Sequence, residues 1–169
     1  LVALTELTLK VLPKKQLTNT IVIKVDERKK IYDLFDKIAS SSSEITGAVF
    51  LPDEPDDSMF VRNKETIFKF NDLNFTGPYL ALRLEGDKVS ISEKTKKITK
   101  ELDLKKFKVA ILDNYQSSPF WKKINNLELF QNTQNNLLRI VIEPANGSEM
   151  MSYLGNKFKY YIDWCGSLF

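Results

Sequence analysis

Histidine is missing from all 169 residues of this chain. Without an imidazole there is no base for a serine–histidine or cysteine–histidine nucleophile pair, so the commonest covalent hydrolytic mechanisms are excluded. Cysteine is nearly missing too, with Cys165 standing alone. One thiol cannot form an internal disulfide, and one Cys without His cannot supply the ligands of a zinc site. No metal is expected, and a reducing compartment, cytoplasmic or nuclear, is. Beside Trp164, Cys165 reads as a packed small hydrophobe. The six glycines (Gly47, Gly77, Gly86, Gly147, Gly155 and Gly166) never gather into a phosphate cradle, and no Gly-Lys-Ser or Gly-Lys-Thr occurs, so no cofactor is expected either. Long apolar runs are lacking as well, since nothing approaches the ~18 residues of a membrane-spanning helix. The chain opens at Leu1 without a basic-then-apolar leader, and reads as a piece of a longer protein. A net charge of +3 is too small to predict a polyanionic partner.

What remains is ample for a core, because 43% of the residues are hydrophobic and 11% aromatic. In "LTELTLKVLP", Leu7, Leu9 and Val11 alternate with Glu6, Thr8 and Lys10, the period of a half-buried strand. "NTIVIKV" repeats the pattern with Ile21, Ile23 and Val25, and the short "PKKQLT" between them predicts an antiparallel hairpin. The period then changes. Ile31, Leu34, Phe35 and Ile38 fall at i, i+3, i+4 and i+7, one apolar helical face, with Asp26 as the expected N-cap and Ser40 to Ser43 as the exit. "GAVFLP" and "SMFVR" follow as strands, and "PYLALRLEG" closes the series.

Strand, strand, helix, strand, strand, strand is the order of the β-grasp, in which a mixed sheet wraps one helix. The segment "MFVRNKETIFKFNDLNFTGPYLALRLEG" resembles the second half of a ubiquitin-like domain, with Phe60 on one strand, an "NDLNF" turn and a closing Leu-Arg-Leu-Glu-Gly. The resemblance covers residues 4 to 87 and implies an α+β fold. It departs from the family at its end, since "LEGDKVSISEK" continues where a conjugated modifier would stop at a diglycine. The positions of ubiquitin's apolar docking patch fall on Phe60, Ala81 and Arg83, and Arg83 breaks that patch.

Beyond Gly86 the spacing of Ser90 and Glu93 predicts a capping box opening a helix, with Ile91, Ile98 and Leu102 on its narrow apolar side. Lys94, Lys96, Lys97, Lys100, Lys105, Lys106 and Lys108 surround the helix and the residues just after it, a pattern of solvated surface. "KFKVAIL" and "LLRIVIEP" read as strands and "SPFWKKINNLELF" as a short helix. The tail supports a helix from Ser148 or an alternating strand in "KFKYYIDW". The expected organisation is a β-grasp domain over residues 1–88 with an α/β extension, residues 89–169, packed on it.

Carboxylates are the remaining catalytic candidates, densest in "DEPDD" from Asp53 to Asp57. General acid–base work needs a carboxyl held in a pocket with a raised pKa, whereas this run reads as a wet loop. The chain is accordingly expected to be a non-enzymatic interaction module, a scaffold or adaptor part of a larger protein or complex. Lys24, Arg28, Lys29 and Lys30 gather where the second strand meets the helix. Ras-association domains are ubiquitin-like folds that meet an acidic small GTPase at this edge, so a GTPase effector is the alternative reading. Nucleic acid or an anionic membrane surface, met through the lysine-rich helix, is a further one. Phe60, Arg83 and Trp121 complete the candidate partner-binding residues.

Overall fold

The computed structural model describes residues 5–11, 15–27, 30–52, 61–62, 65–66, 78–130, 136–155, 157–163 and 166–169. Arg28, Lys29, Phe60, the "DEPDD" loop, the "NDLNF" turn, Trp164 and Cys165 lie outside these residues. The strands are β1 (Leu17–Lys24), β2 (Ile45–Leu51), β3 (Val61–Arg62), β4 (Glu65–Thr66), β5 (Tyr79–Gly86), β6 (Val109–Leu112) and β7 (Ile162–Asp163). The helices are α1 (Lys30–Ala39), α2 (Lys88–Glu101), α3 (Asn114–Asn125) and α4 (Gly147–Leu154).

Five strands form one sheet in the order β6-β1-β5-β2-β7, and β3 pairs with β4 in a separate ladder. The fold is α+β with an open sheet, but where a mixed sheet is expected, each ladder between described strands is antiparallel. The expected boundary near residue 88 does not divide the sheet. Both of its outer strands, β6 and β7, come from the second half of the chain and pair directly with β1 and β2.

Both faces of the sheet are covered, and the strand sequences explain why. β1 carries Ile21, Val22 and Ile23 in succession, β5 carries Tyr79 to Leu82, and β2 carries Ala48 to Leu51, all buried. Because successive side chains point to opposite faces, such unbroken runs need a cover on each side. On one face Ile21, Ile23, Ala48, Phe50, Leu80, Leu82 and Leu84 pack with Ile31, Leu34, Phe35 and Ile38 of α1, Ile98 of α2, and Met151 and Leu154 of α4. On the other, Val22, Val49, Leu51, Tyr79, Ala81, Ala110 and Leu112 pack with Phe120, Trp121 and Ile124 of α3. Burial of each large apolar side chain contributes about 1.5–3 kcal/mol relative to exposure.

The expected first strand is not formed. Residues 6–11 have no regular structure, and Leu7, Leu9 and Val11 are 65%, 70% and 83% exposed. Both sides of β1 are already occupied, by β5 and by β6, so no place is left for the predicted hairpin. Helix boundaries also move. α1 is Lys30–Ala39, and the Asp26 carboxylate sits 3.0 Å from Lys24 Nζ; the amides it would cap, of Arg28 and Lys29, lie outside the described residues. The exit of α1 follows expectation, with Ser40 Oγ donating to the Asp36 carbonyl at 2.7 Å. α2 is capped by Asp87, whose Oδ1 accepts from the Val89 and Ser90 amides at 2.9 Å, not by Ser90. A carboxylate three residues earlier meets the helix dipole with full charge, which a hydroxyl cannot do. α3 starts well before Pro119 through a complete capping box between Asp113 and Gln116. In the tail both readings are realised in turn, as α4 and then β7. "LLRIVIEP" forms no strand; it contributes a single bridge from Val141 to Leu168.

Candidate functional site

The predicted basic cluster sits where β1 ends. Lys24 Nζ is 3.0 Å from Asp26, and its side chain is mostly buried. Lys30 Nζ donates to Glu27 at 2.7 Å, and that bond raises the lysine pKa above its ordinary value. Each of these cations thus has its own carboxylate. β1 is also an interior strand with ladders on both sides, so strand addition cannot occur along it. Four lysines of α2 and the turn after it are matched in the same way. Lys94 meets Glu44 at 2.8 Å, Lys96 meets Glu93 at 2.9 Å, Lys97 approaches Glu101 at 4.0 Å, and Lys106 meets Asp103 at 2.6 Å.

Arg83 and Trp121 are brought together, but inside the fold. The Arg83 guanidinium lies 5.0 Å above the Trp121 ring, a cation–π contact. Its Nη2 donates to the Thr46 carbonyl at 2.6 Å and its Nε to Thr46 Oγ1 at 3.1 Å. Gly47 makes room for this arrangement, because a Cβ there would stand 3.3 Å from Arg83 Nε. Trp121 is only 5% exposed and is therefore a packing residue between α3 and the sheet, not a surface anchor. The same helix covers Ala81, so the face onto which ubiquitin's docking patch would map is occupied.

A buried polar chain underlies Trp121. Its Nε1 donates to Thr20 Oγ1 at 2.8 Å, Thr20 Oγ1 donates to Ser117 Oγ at 2.9 Å, and Ser117 Oγ donates to the Leu112 carbonyl at 3.1 Å. Thr20 and Ser117 are fully buried. This chain ties β1, β6 and α3 at one point. Sequence reasoning missed it because Thr20 occupies an ordinary strand position and Ser117 an ordinary helix position. Among the described residues no group of three or more His, Cys, Asp or Glu is placed to hold a metal, and no helix is long and apolar enough to cross a membrane.

Among the described residues, a feature that remains available to a partner is the outer edge of β6. Lys24 N donates to the Lys108 carbonyl at 2.9 Å, and the same register opposes Val22 to Ala110 and Thr20 to Leu112. In an antiparallel ladder bonded and non-bonded pairs alternate, so Ala110 and Leu112 bond to β1 while the N–H and C=O of Val109 and Ile111 point outward. No described strand lies on that side. Ile111 is 54% exposed, and Tyr115, just beyond the edge, is 57% exposed. The opposite edge is closed. Asp163 of β7 exchanges backbone bonds with Leu168, and Phe169 does so with Ile140. Sequence patterning could not single out β6, since Ile111 belongs to an apolar run like those of the interior strands. Comparison with known protein families and with curated proteins finds no match for this chain.

Proposed function

We propose that the chain is a non-enzymatic protein-interaction module, a scaffold or adaptor part of a larger cytoplasmic or nuclear assembly, that engages an extended segment by strand addition at β6. The observation that carries this reading is the open edge itself, with the N–H and C=O of Val109 and of Ile111 directed outward and the Ile111 side chain exposed. Such an edge supplies main-chain hydrogen bonds for affinity and alternate side-chain contacts for selectivity. It stands on a rigid base, because β6 is held to β1 by its ladder and to α3 through Ser117 and the Leu112 carbonyl.

The ubiquitin-like reading of residues 4 to 87 draws support from α1, whose apolar stripe crosses one sheet face, and from the closing strand at β5. The all-antiparallel ladders weigh against it. A small-GTPase effector role would need free cations and an open strand at the end of β1, and neither Lys24 nor Lys30 meets that need.

The test is calorimetric titration with extended peptides of alternating apolar and polar residues, against the wild-type chain and Ile111→Lys. A charge on the edge strand blocks pairing without touching the core. Binding that is lost in Ile111→Lys and retained in Val89→Lys, a substitution at an exposed position on α2, supports the reading. Peptide binding indifferent to Ile111, or no binding to any alternating peptide, overturns it.

A further inference from the structure

The chain contains both halves of an unmade strand pairing. Residues 5–11 have strand period, carry Leu7, Leu9 and Val11 in water, and lie outside every ladder. Among the described residues nothing pairs with the outer side of β6. The segment cannot return to β1, whose two sides are filled, and no described ladder joins it to β6 within one chain. We propose that residues 5–11 of a second copy add to the outer edge of β6, and that the exchange is reciprocal. This rests on the reading of that edge as the interaction surface and names its occupant.

Side-chain chemistry sets the direction. With the segment parallel to β6 and Leu9 beside Ile111, Leu7 falls beside Val109 and Glu6 beside Lys108, which is exposed. The apolar residues then extend the face of the sheet that α1 and α2 cover, and the opposite charges meet. An antiparallel register with Leu7 beside Ile111 and Leu9 beside Val109 places Lys10 beside Lys108, two like charges on neighbouring strands, which is destabilising; the antiparallel register with Leu9 beside Ile111 and Val11 beside Val109 places Glu6 beside Asn114 and forfeits its pairing with Lys108. Parallel addition is therefore selected. A reciprocal exchange is closed, so it yields a two-fold pair and not a filament.

The experiment uses the full chain with Cys165→Ser as background. Leu9→Cys and Ile111→Cys are prepared separately, mixed and oxidised, so that a disulfide between them arises only across copies. The expected result is a crosslinked dimer from this mixture and none from Leu9→Cys with Val89→Cys. Sedimentation of the uncrosslinked chain should show a dimer in the range from about 1 µM to 1 mM. Ile111→Lys and Leu9→Glu should each weaken it about tenfold or more. Glu6→Lys should weaken it and Glu6→Lys with Lys108→Glu should restore it, a rescue that antiparallel addition does not give. Circular dichroism checks folding. If Ile111→Lys fails to fold, Leu9→Glu, which touches no core residue, decides the question.

A chain that is monomeric throughout that range overturns the proposal, as does a dimer indifferent to both Leu9→Glu and Ile111→Lys. A monomeric disulfide in the Leu9→Cys, Ile111→Cys double variant also overturns it, because the segment then docks within its own chain. A monomer that still binds alternating peptides in an Ile111-dependent way overturns the exchange alone and leaves the interaction module standing.

Discussion

Replacing Thr20 by valine is a severe test of the buried polar chain, because almost everything except one hydroxyl is preserved. Valine has the same branched shape and suits a strand at least as well. What changes is that Trp121 Nε1, which donates to Thr20 Oγ1 at 2.8 Å, is left buried with no acceptor there, while Ser117 keeps its own bond to the Leu112 carbonyl. Leaving a buried donor unsatisfied costs roughly 1–3 kcal/mol, more than the net value of an ordinary hydrogen bond. The expected loss is therefore about 2 kcal/mol, which lowers the melting temperature of a domain this size by roughly 4–8 °C. Urea unfolding followed by far-ultraviolet circular dichroism should show a lower midpoint at unchanged slope. Trp121→Phe removes the donor, so Thr20→Val should cost less in that background, with a coupling of about 1 kcal/mol. A Thr20→Val variant within about 0.5 kcal/mol of wild type, or strictly additive variants, would refute the reasoning.

Gly147→Ala should destabilise by about 1–3 kcal/mol even though alanine is the better helix former, because a Cβ there stands 2.5 Å from Tyr32 Oη and 2.8 Å from the Gly166 carbonyl. Thermal unfolding measures it, and a stabilised variant would mean that α4 does not sit against α1 at this distance. Tyr32→Phe should be neutral or stabilising by up to about 1 kcal/mol, since the Tyr32 hydroxyl is buried with no hydrogen-bond partner among the described residues, and burial raises its pKa. A clear loss of stability in that variant would reveal a partner for the hydroxyl. For Asp87, the Ser90 amide first, and then the Val89 amide, hold the carboxyl below its ordinary pKa. Its stabilising contribution is present above the unfolded pKa of about 3.9 and is lost as pH falls through the folded value. Asp87→Asn should flatten that part of the acid limb in a pH series of urea midpoints, and an unchanged limb would rule out the cap as its source.

Helix α1 and strands β2 and β5 were legible because each carries its signal locally, an apolar stripe at helical spacing or a short apolar run bounded by breakers. The expected first strand is not formed, for a physical reason. "LTLKV" alternates cleanly, while "TIVIK" does not, since Val22 interrupts the alternation of Ile21 and Ile23. Alternation marks a strand with one wet face; an unbroken β-branched run marks one covered on both. Val22 marks β1 as an interior strand of a two-sided sheet, with no free side for the segment before it. Arg83 and Trp121 are expected from the sequence to meet a partner and instead meet each other, because an aromatic and an arginine far apart in sequence carry no sign of whether they stand in water or under a helix. The closure of one sheet edge and the openness of the other depend on residues from opposite ends of the chain, and no local window contains that information.

The interior position of β1, between β6 and β5, also sets an order of assembly. Its hydroxyl partner on α3 lies 97 residues away, and Trp121, which caps the same hydroxyl, lies 101 residues away. During synthesis, Ile21, Val22 and Ile23 emerge long before β5, and longer still before β6 and α3 can cover them. Contacts of this range slow folding and keep apolar strand surface exposed while it proceeds. A chain cut short before Asp113 would present β1 with only one face protected, so truncated products should be the aggregation-prone species. An interior strand made early in the chain thus waits on late-made elements for its shelter.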